Sequence, residues 1–253
     1  QIGGSEVLRA INFILDETGA LNVRDGSITV EMAPEGVQGI LTLNSFNLVD
    51  GSDVPLAVVR NSLTGTQQLY NRTSGGWTLL GTFTTQFDIP YIIPWLNVGI
   101  IAAGYETPWY TDGGTFVQFA GMDIIPGAQH LVVHQNALWA WNTAATTSTY
   151  DGPSSLRQSD VENFNSWPVG NQLFLSKDDG QTGMGLAGFT VADRGISPAD
   201  FLVAFKRYSG YLIAGAFGGG SAPTFTRIKS NMGCVAPRTI QFCTGSEFQG
   251  LVR

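Results

Sequence analysis

The sequence predicts an all-β fold built from a series of small antiparallel sheets. Three observations carry that expectation. Charged residues make up only 13% of the 253 residues while Gly occurs 32 times, which suits short strands joined by tight turns. Aromatics reach 11% and apolar residues 43%, enough for a substantial core. Short apolar runs bounded by turn residues then recur along the chain, most clearly at Leu138-Trp-Ala-Trp-Asn142, which runs into the polar turns around Arg157–Asp160 and Asn163–Pro168.

Taken in order, the first segment is the one helix-like stretch. Ser5 to Leu15 offers a Ser cap and apolar residues at helical spacing (Leu8, Ile11, Leu15), and it reads equally as the start of a strand ending at Gly19. Everything after it is punctuated as β. Arg24-Asp-Gly26 and Asp112-Gly-Gly114 are tight-turn signals, and Ser74-Gly-Gly76 separates Gln68–Asn71 from Trp77–Leu80 as the turn of a hairpin. Gly218-Gly-Gly-Ser221 reads as a flexible loop between modules.

The hairpins superpose on one another. Leu56–Arg60 precedes Gln67–Tyr70, Asn97–Ala102 precedes Pro108–Tyr110, and His130–Val133 precedes Leu138–Trp141. Phe201–Phe205 precedes Tyr211–Ala214, and Thr239–Cys243 precedes Gly250–Val252. Their starts lie 41, 33, 71 and 38 residues apart. A period near 40 matches the arithmetic of a β-propeller, whose four-stranded blades typically run about 40–50 residues. The expected fold is therefore a β-propeller of about five to six small antiparallel blades, with the last blade incomplete at the C-terminus. The long 71-residue step reads as one module with an insert at about 143–159, and Asn163–Trp167 as that module's outer strand. The chain is expected to be a single propeller domain over residues 1–253. Its start at Gln1 and its stop in mid-strand at Leu251-Val-Arg253 read as a fragment of a longer chain.

Charge and cysteine usage bound the function. A net charge of −7 argues against a phosphate-gripping surface, because nucleic-acid binding is driven by Lys and Arg. It leaves open a surface that nucleic acid passes without sticking. No run of about 18 apolar residues is present, so no membrane-spanning segment is expected. The first residues lack the basic region, apolar stretch and small-residue cleavage site of a signal peptide. Cys234 and Cys243, nine residues apart, read as buried free thiols, though a bond across a hairpin is compatible with the spacing.

Each candidate chemical motif has a structural reading beside its functional one. Ser176-Lys-Asp-Asp-Gly-Gln-Thr182 resembles the Asp-box of sialidase-type propellers, a turn between outer blade strands whose Asp caps backbone amides. The pattern ends in an aromatic where this chain has Gly183. The Asp-box is a fold element, so it points to a propeller and not to hydrolysis. A sialidase needs a gathered arginine cluster, and the ten arginines are scattered from Arg9 to Arg253. The acid pairs Asp16-Glu17, Asp160/Glu162 and Asp178-Asp179 sit at turns, where carboxylates are normally solvated. His130 and His134, four apart on a strand, lie about 13 Å from one another, too far for one metal. No Gly-x-Ser-x-Gly elbow occurs, and Gly218-Gly-Gly220 lacks the Lys of a phosphate loop. Asn71-Arg-Thr73 matches a glycosylation acceptor, a common chance match. Trp77, Trp109 and Trp167 read as blade-to-blade packing before sugar stacking. The expected catalytic, cofactor-binding and metal sites are accordingly none, and no cofactor is implied.

With its modules laid out, the chain resembles the β-propeller virion proteins of tailed bacteriophages, of neck or tail-nozzle type. The residues that carry the likeness are Ile14–Gly26 as an opening module and His130–Trp141 with Gln158–Trp167 as a blade and its Ser-Asp…Trp return. Ile196–Phe205 with Tyr211–Gly215 resembles the following blade, and Met232–Arg238 the entry to the next. The resemblance implies a non-enzymatic structural role. Copies would form a ring that extends the DNA channel below the portal and helps retain or release the genome. Partners would be the chain itself, portal or adaptor and other tail proteins, and DNA passing without sequence-specific binding. The location would be the virion, after assembly in the host cytoplasm. Two other classes stay open: a sialidase-like glycan-binding or glycan-cleaving propeller (a glycoside hydrolase in the latter case), and a cellular protein-interaction propeller.

Overall fold

In the computed structural model, residues 13–15, 21–23, 36–83, 90–102, 104, 106–119, 127–144, 152–191, 199–218, 222–229, 233–236, 240–244 and 249–252 are described. The described residues are strands and turns, with no helix. The chain divides into two compact units, Gln1–Pro34 and Glu35–Arg253. The first unit contributes a hairpin of β1 (Phe13–Leu15) and β2 (Leu21–Val23). The strand alternative is therefore the one adopted at Phe13–Leu15, and the rest of the helix-like segment lies outside the described residues, as do Asp16-Glu17 and the Arg24-Asp-Gly26 turn.

The second unit holds four sheets of four antiparallel strands, each strand paired only with its neighbours in sequence. The first sheet comprises β3 (Val37–Asn47), β4 (Asp53–Asn61), β5 (Gln67–Thr73) and β6 (Gly76–Thr82). The second comprises β7 (Tyr91–Trp95), β8 (Val98–Ala102), β9 (Trp109–Thr111) and β10 (Val117–Gln118). The third comprises β11 (Ala128–His134), β12 (Ala137–Thr143), β13 (Ser155–Gln158) and β14 (Gln172–Phe174). The fourth comprises β15 (Gly183–Val191), β16 (Ala199–Lys206), β17 (Gly210–Ala214) and β18 (Thr224–Arg227). A final hairpin joins β19 (Gln241–Thr244) and β20 (Gln249–Val252).

Stacking follows from the two-residue period of a strand. In β8, Ile101 packs toward the first sheet while Val98, Ile100 and Ala102 pack toward the third. In β12, Leu138 and Ala140 meet the second sheet, and Trp139 and Trp141 meet the fourth. Second strands buried on both faces read as continuous apolar runs, which is why Ala-Val-Val, Ile-Ile-Ala and Leu-Trp-Ala-Trp stood out. The fourth sheet's far face is covered by Cys234, buried and unpaired, and by Ile240.

Two readings of the third sheet change. Ser155–Gln158, placed in the expected insert, form β13, and every residue of that strand is buried. The outer strand is β14, and Asn163–Trp167 belong to the connection that leads to it. The superposition of hairpins also slips by one strand. His130–Val133 and Leu138–Trp141 are first and second strands, whereas Leu56–Arg60, Asn97–Ala102 and Phe201–Phe205 open on second strands. The 71-residue step contains this change of frame. Gly218 likewise lies in the β17–β18 connection, inside a sheet and not between modules.

Candidate functional site

Among the described candidate residues, the Ser176–Thr182 turn and His134 lie at the seam between the third and fourth sheets, whereas Asn71, Trp77, Trp109, Asp112, His130 and Trp167 lie elsewhere. Trp141 lies wholly buried, and its indole Nε1 donates to Phe205 O at 3.1 Å. Asn142, held in a left-handed backbone with φ 58°, donates from Nδ2 to Gly183 O at 2.8 Å. A Cβ at Gly183 would collide with the Trp141 indole. That explains why the aromatic closing an Asp-box is absent at position 183: Trp141, from the neighbouring sheet, fills the space.

The Ser176–Thr182 turn lies between β14 and β15, joining two sheets, and not between outer strands of one sheet as an Asp-box would. Its Asp179 accepts from the Gln181 backbone N–H at 2.9 Å, so the turn-capping reading holds for this residue. The same carboxylate has a second partner that the sequence did not announce. Lys206, at the end of β16, is fully buried, and its Nζ donates to Asp179 Oδ1 at 2.7 Å, Ser154 Oγ at 2.9 Å and Ser176 O at 2.9 Å. All three ammonium hydrogens have an acceptor. Nothing distinguishes Lys206 in the sequence except a lone charge closing the apolar run Phe-Leu-Val-Ala-Phe.

The Gln158–Trp167 return is structural in the same way. Ser159 Oγ accepts from the Leu138 backbone N–H at 2.9 Å, and Arg157 Nη2 donates to Trp167 O at 2.8 Å. Trp167 is buried between the second and third sheets, and its Nε1 donates to Phe164 O at 2.7 Å. Trp109 stacks on Phe116 with centroids 4.5 Å apart, and Trp77 packs half-buried against Ala57, Val59 and Tyr70. Packing is therefore the role of all three tryptophans that were candidates for sugar stacking. Asn71 is buried and donates to Gly113 O across to the β9–β10 turn, a position no glycan could occupy.

The two histidines meet different sheets. His130 lies edge-on to Tyr91 of β7 at 6.4 Å, and His134 is buried beside Gly188 of β15. Burial pushes the His134 imidazole below its ordinary pKa, opposed by the charge of Asp200. Among the described residues, no three His, Cys, Asp or Glu side chains gather as metal ligands would. Asp112 accepts from the backbone N–H of Thr115 at 2.7 Å and of Gly114 at 3.0 Å, and these bonds hold its carboxyl below the usual range. Asp160 accepts from Ser166 Oγ within its own loop.

Two open clefts stand out among the described residues. One, of about 570 Å³, lies between the third and fourth sheets and is lined by Gln135, Asp160, Val161, Ala216, Phe217 and Gly218. Gln158 Oε1 accepts from Phe217 N at 2.8 Å beside it. The other, of about 410 Å³, brings together β3 (Thr42, Asn44), β7 (Tyr91, Ile92), β15 (Leu186) and Ile240. Here Asn44 Nδ2 donates to Ile92 O at 2.9 Å, tying one first strand to the next. No helix among the described residues is long and apolar enough to cross a membrane. No protein-family model matches the chain, and no curated protein matches it either.

Proposed function

We propose that the chain is a β-propeller subunit of a tailed-phage neck or tail, a structural protein whose copies form a ring that extends the DNA channel below the portal and helps retain or release the genome. The observation that carries the propeller is the shared cleft: first strands of the first, second and fourth sheets line one space, as blades arranged around an axis would. The serial face-to-face packing of four sequential meanders supports the same architecture. The virion role rests on the sequence resemblance carried by Ile14–Gly26, His130–Trp141, Gln158–Trp167 and Ile196–Gly215.

A purely structural role fits the employment of the polar residues. Asp179 is paired with Lys206, Arg157 with a backbone carbonyl, and the tryptophans with packing, which leaves these groups no free chemistry to perform. A glycan-cleaving propeller would gather arginines. Neither of the two clefts described above is lined by an arginine. The acidic balance suits a wall along which duplex slides, since repulsion discourages adhesion. The test is mass spectrometry of purified virions together with electron microscopy of the isolated chain. A ring with a wide hole and a stoichiometric virion component are expected. A monomer that cleaves or binds sialosides, or absence from virions, overturns the reading.

A further inference from the structure

We draw no further inference here: the strongest candidate, the outer face of the first sheet, where Leu43, Ala57, Tyr70 and Leu79 form one apolar row across β3 to β6 with Leu43 and Leu79 exposed, carries nothing because nothing among the described residues shows what covers it.

Discussion

Removing the carboxylate of Asp179 tests whether the Ser176–Thr182 turn exists to hold a buried cation. Lys206 has no exposed surface, and among the described residues Asp179 Oδ1 is its only anionic partner, at 2.7 Å. Stripping one partner from a buried ion pair costs about 3–5 kcal/mol, because the remaining charge stays desolvated. Ser154 Oγ and Ser176 O remain as neutral acceptors, and Asp179 is 24% exposed, so water can enter where it stood. These offsets bring the expected loss for Asp179→Ala to about 2–4 kcal/mol. Lys206→Met keeps the aliphatic stem and deletes the charge. Asp179 can then hydrate and still accept from the Gln181 N–H, so Lys206→Met should change stability by about 1 kcal/mol or less in either direction. The double variant should recover most of the single-variant loss, a coupling of about 1.5–3 kcal/mol. Urea unfolding at neutral pH, followed by tryptophan fluorescence, gives all four corners of the cycle. Asp179→Ala within about 0.5 kcal/mol of the parent, or a double variant equal to the sum of the singles, would refute the reasoning.

Further outcomes follow from the same seam. Gly183→Ala forces a methyl group into the Trp141 ring and should cost about 1–3 kcal/mol, read as a fall in thermal midpoint. Trp141→Ala should cost about 3–5 kcal/mol in the same assay, and Trp77→Ala, half-buried on one face, clearly less. His134 contributes a pH dependence of known sign. Its folded pKa lies below the ordinary 6.5, so the unfolded chain binds the extra proton first. Stability should be level above that value and decline as pH falls from 6.5 toward the lowered folded pKa, and His134→Gln should flatten the decline in urea titrations between pH 7.5 and 5.

How far the sequence exposes this fold depends on how each strand is buried. The central residues of β4, β8, β12 and β16 are buried, so Leu56–Val59, Val98–Ala102, Ala137–Trp141 and Phe201–Phe205 read as unbroken runs without a charged or polar side chain. β13 is just as buried but reads Ser-Leu-Arg-Gln, and it passed for an insert. Its polar side chains are tolerable because their partners come from elsewhere in the chain: Trp167 O for Arg157, Phe217 N for Gln158 and Gln172 Nε2 for Ser155. Pattern reading scores neighbours, and none of these partners is a neighbour. The one-strand slip has a related cause. A first-and-second-strand hairpin and a second-and-third-strand hairpin look alike locally, and only pairing tells them apart. Lys206 is invisible for the simplest reason, since a lone Lys at a strand end is ordinarily solvated.

The contrast between the two seams of the third sheet shows what its polar residues accomplish. Toward the second sheet the contacts are apolar and aromatic: Trp95, Ile100, Phe119, Leu131, Leu138 and Trp167. Such a surface rewards area and tolerates small shifts, because burial has no direction. Toward the fourth sheet, specific bonds cross as well, among them Trp141 Nε1 to Phe205 O, Asn142 Nδ2 to Gly183 O, Gly183 N to Pro153 O, Lys206 Nζ to Ser154 Oγ, and Phe217 N to Gln158 Oε1. A slip of one residue would break each of them inside a desolvated seam, where an unmade hydrogen bond costs about 1–3 kcal/mol. The register of the third sheet on the fourth is therefore fixed by hydrogen-bond geometry in addition to shape. The stretch from Leu138 to Pro168 is conspicuous because it serves both seams, aromatic for the one and polar for the other.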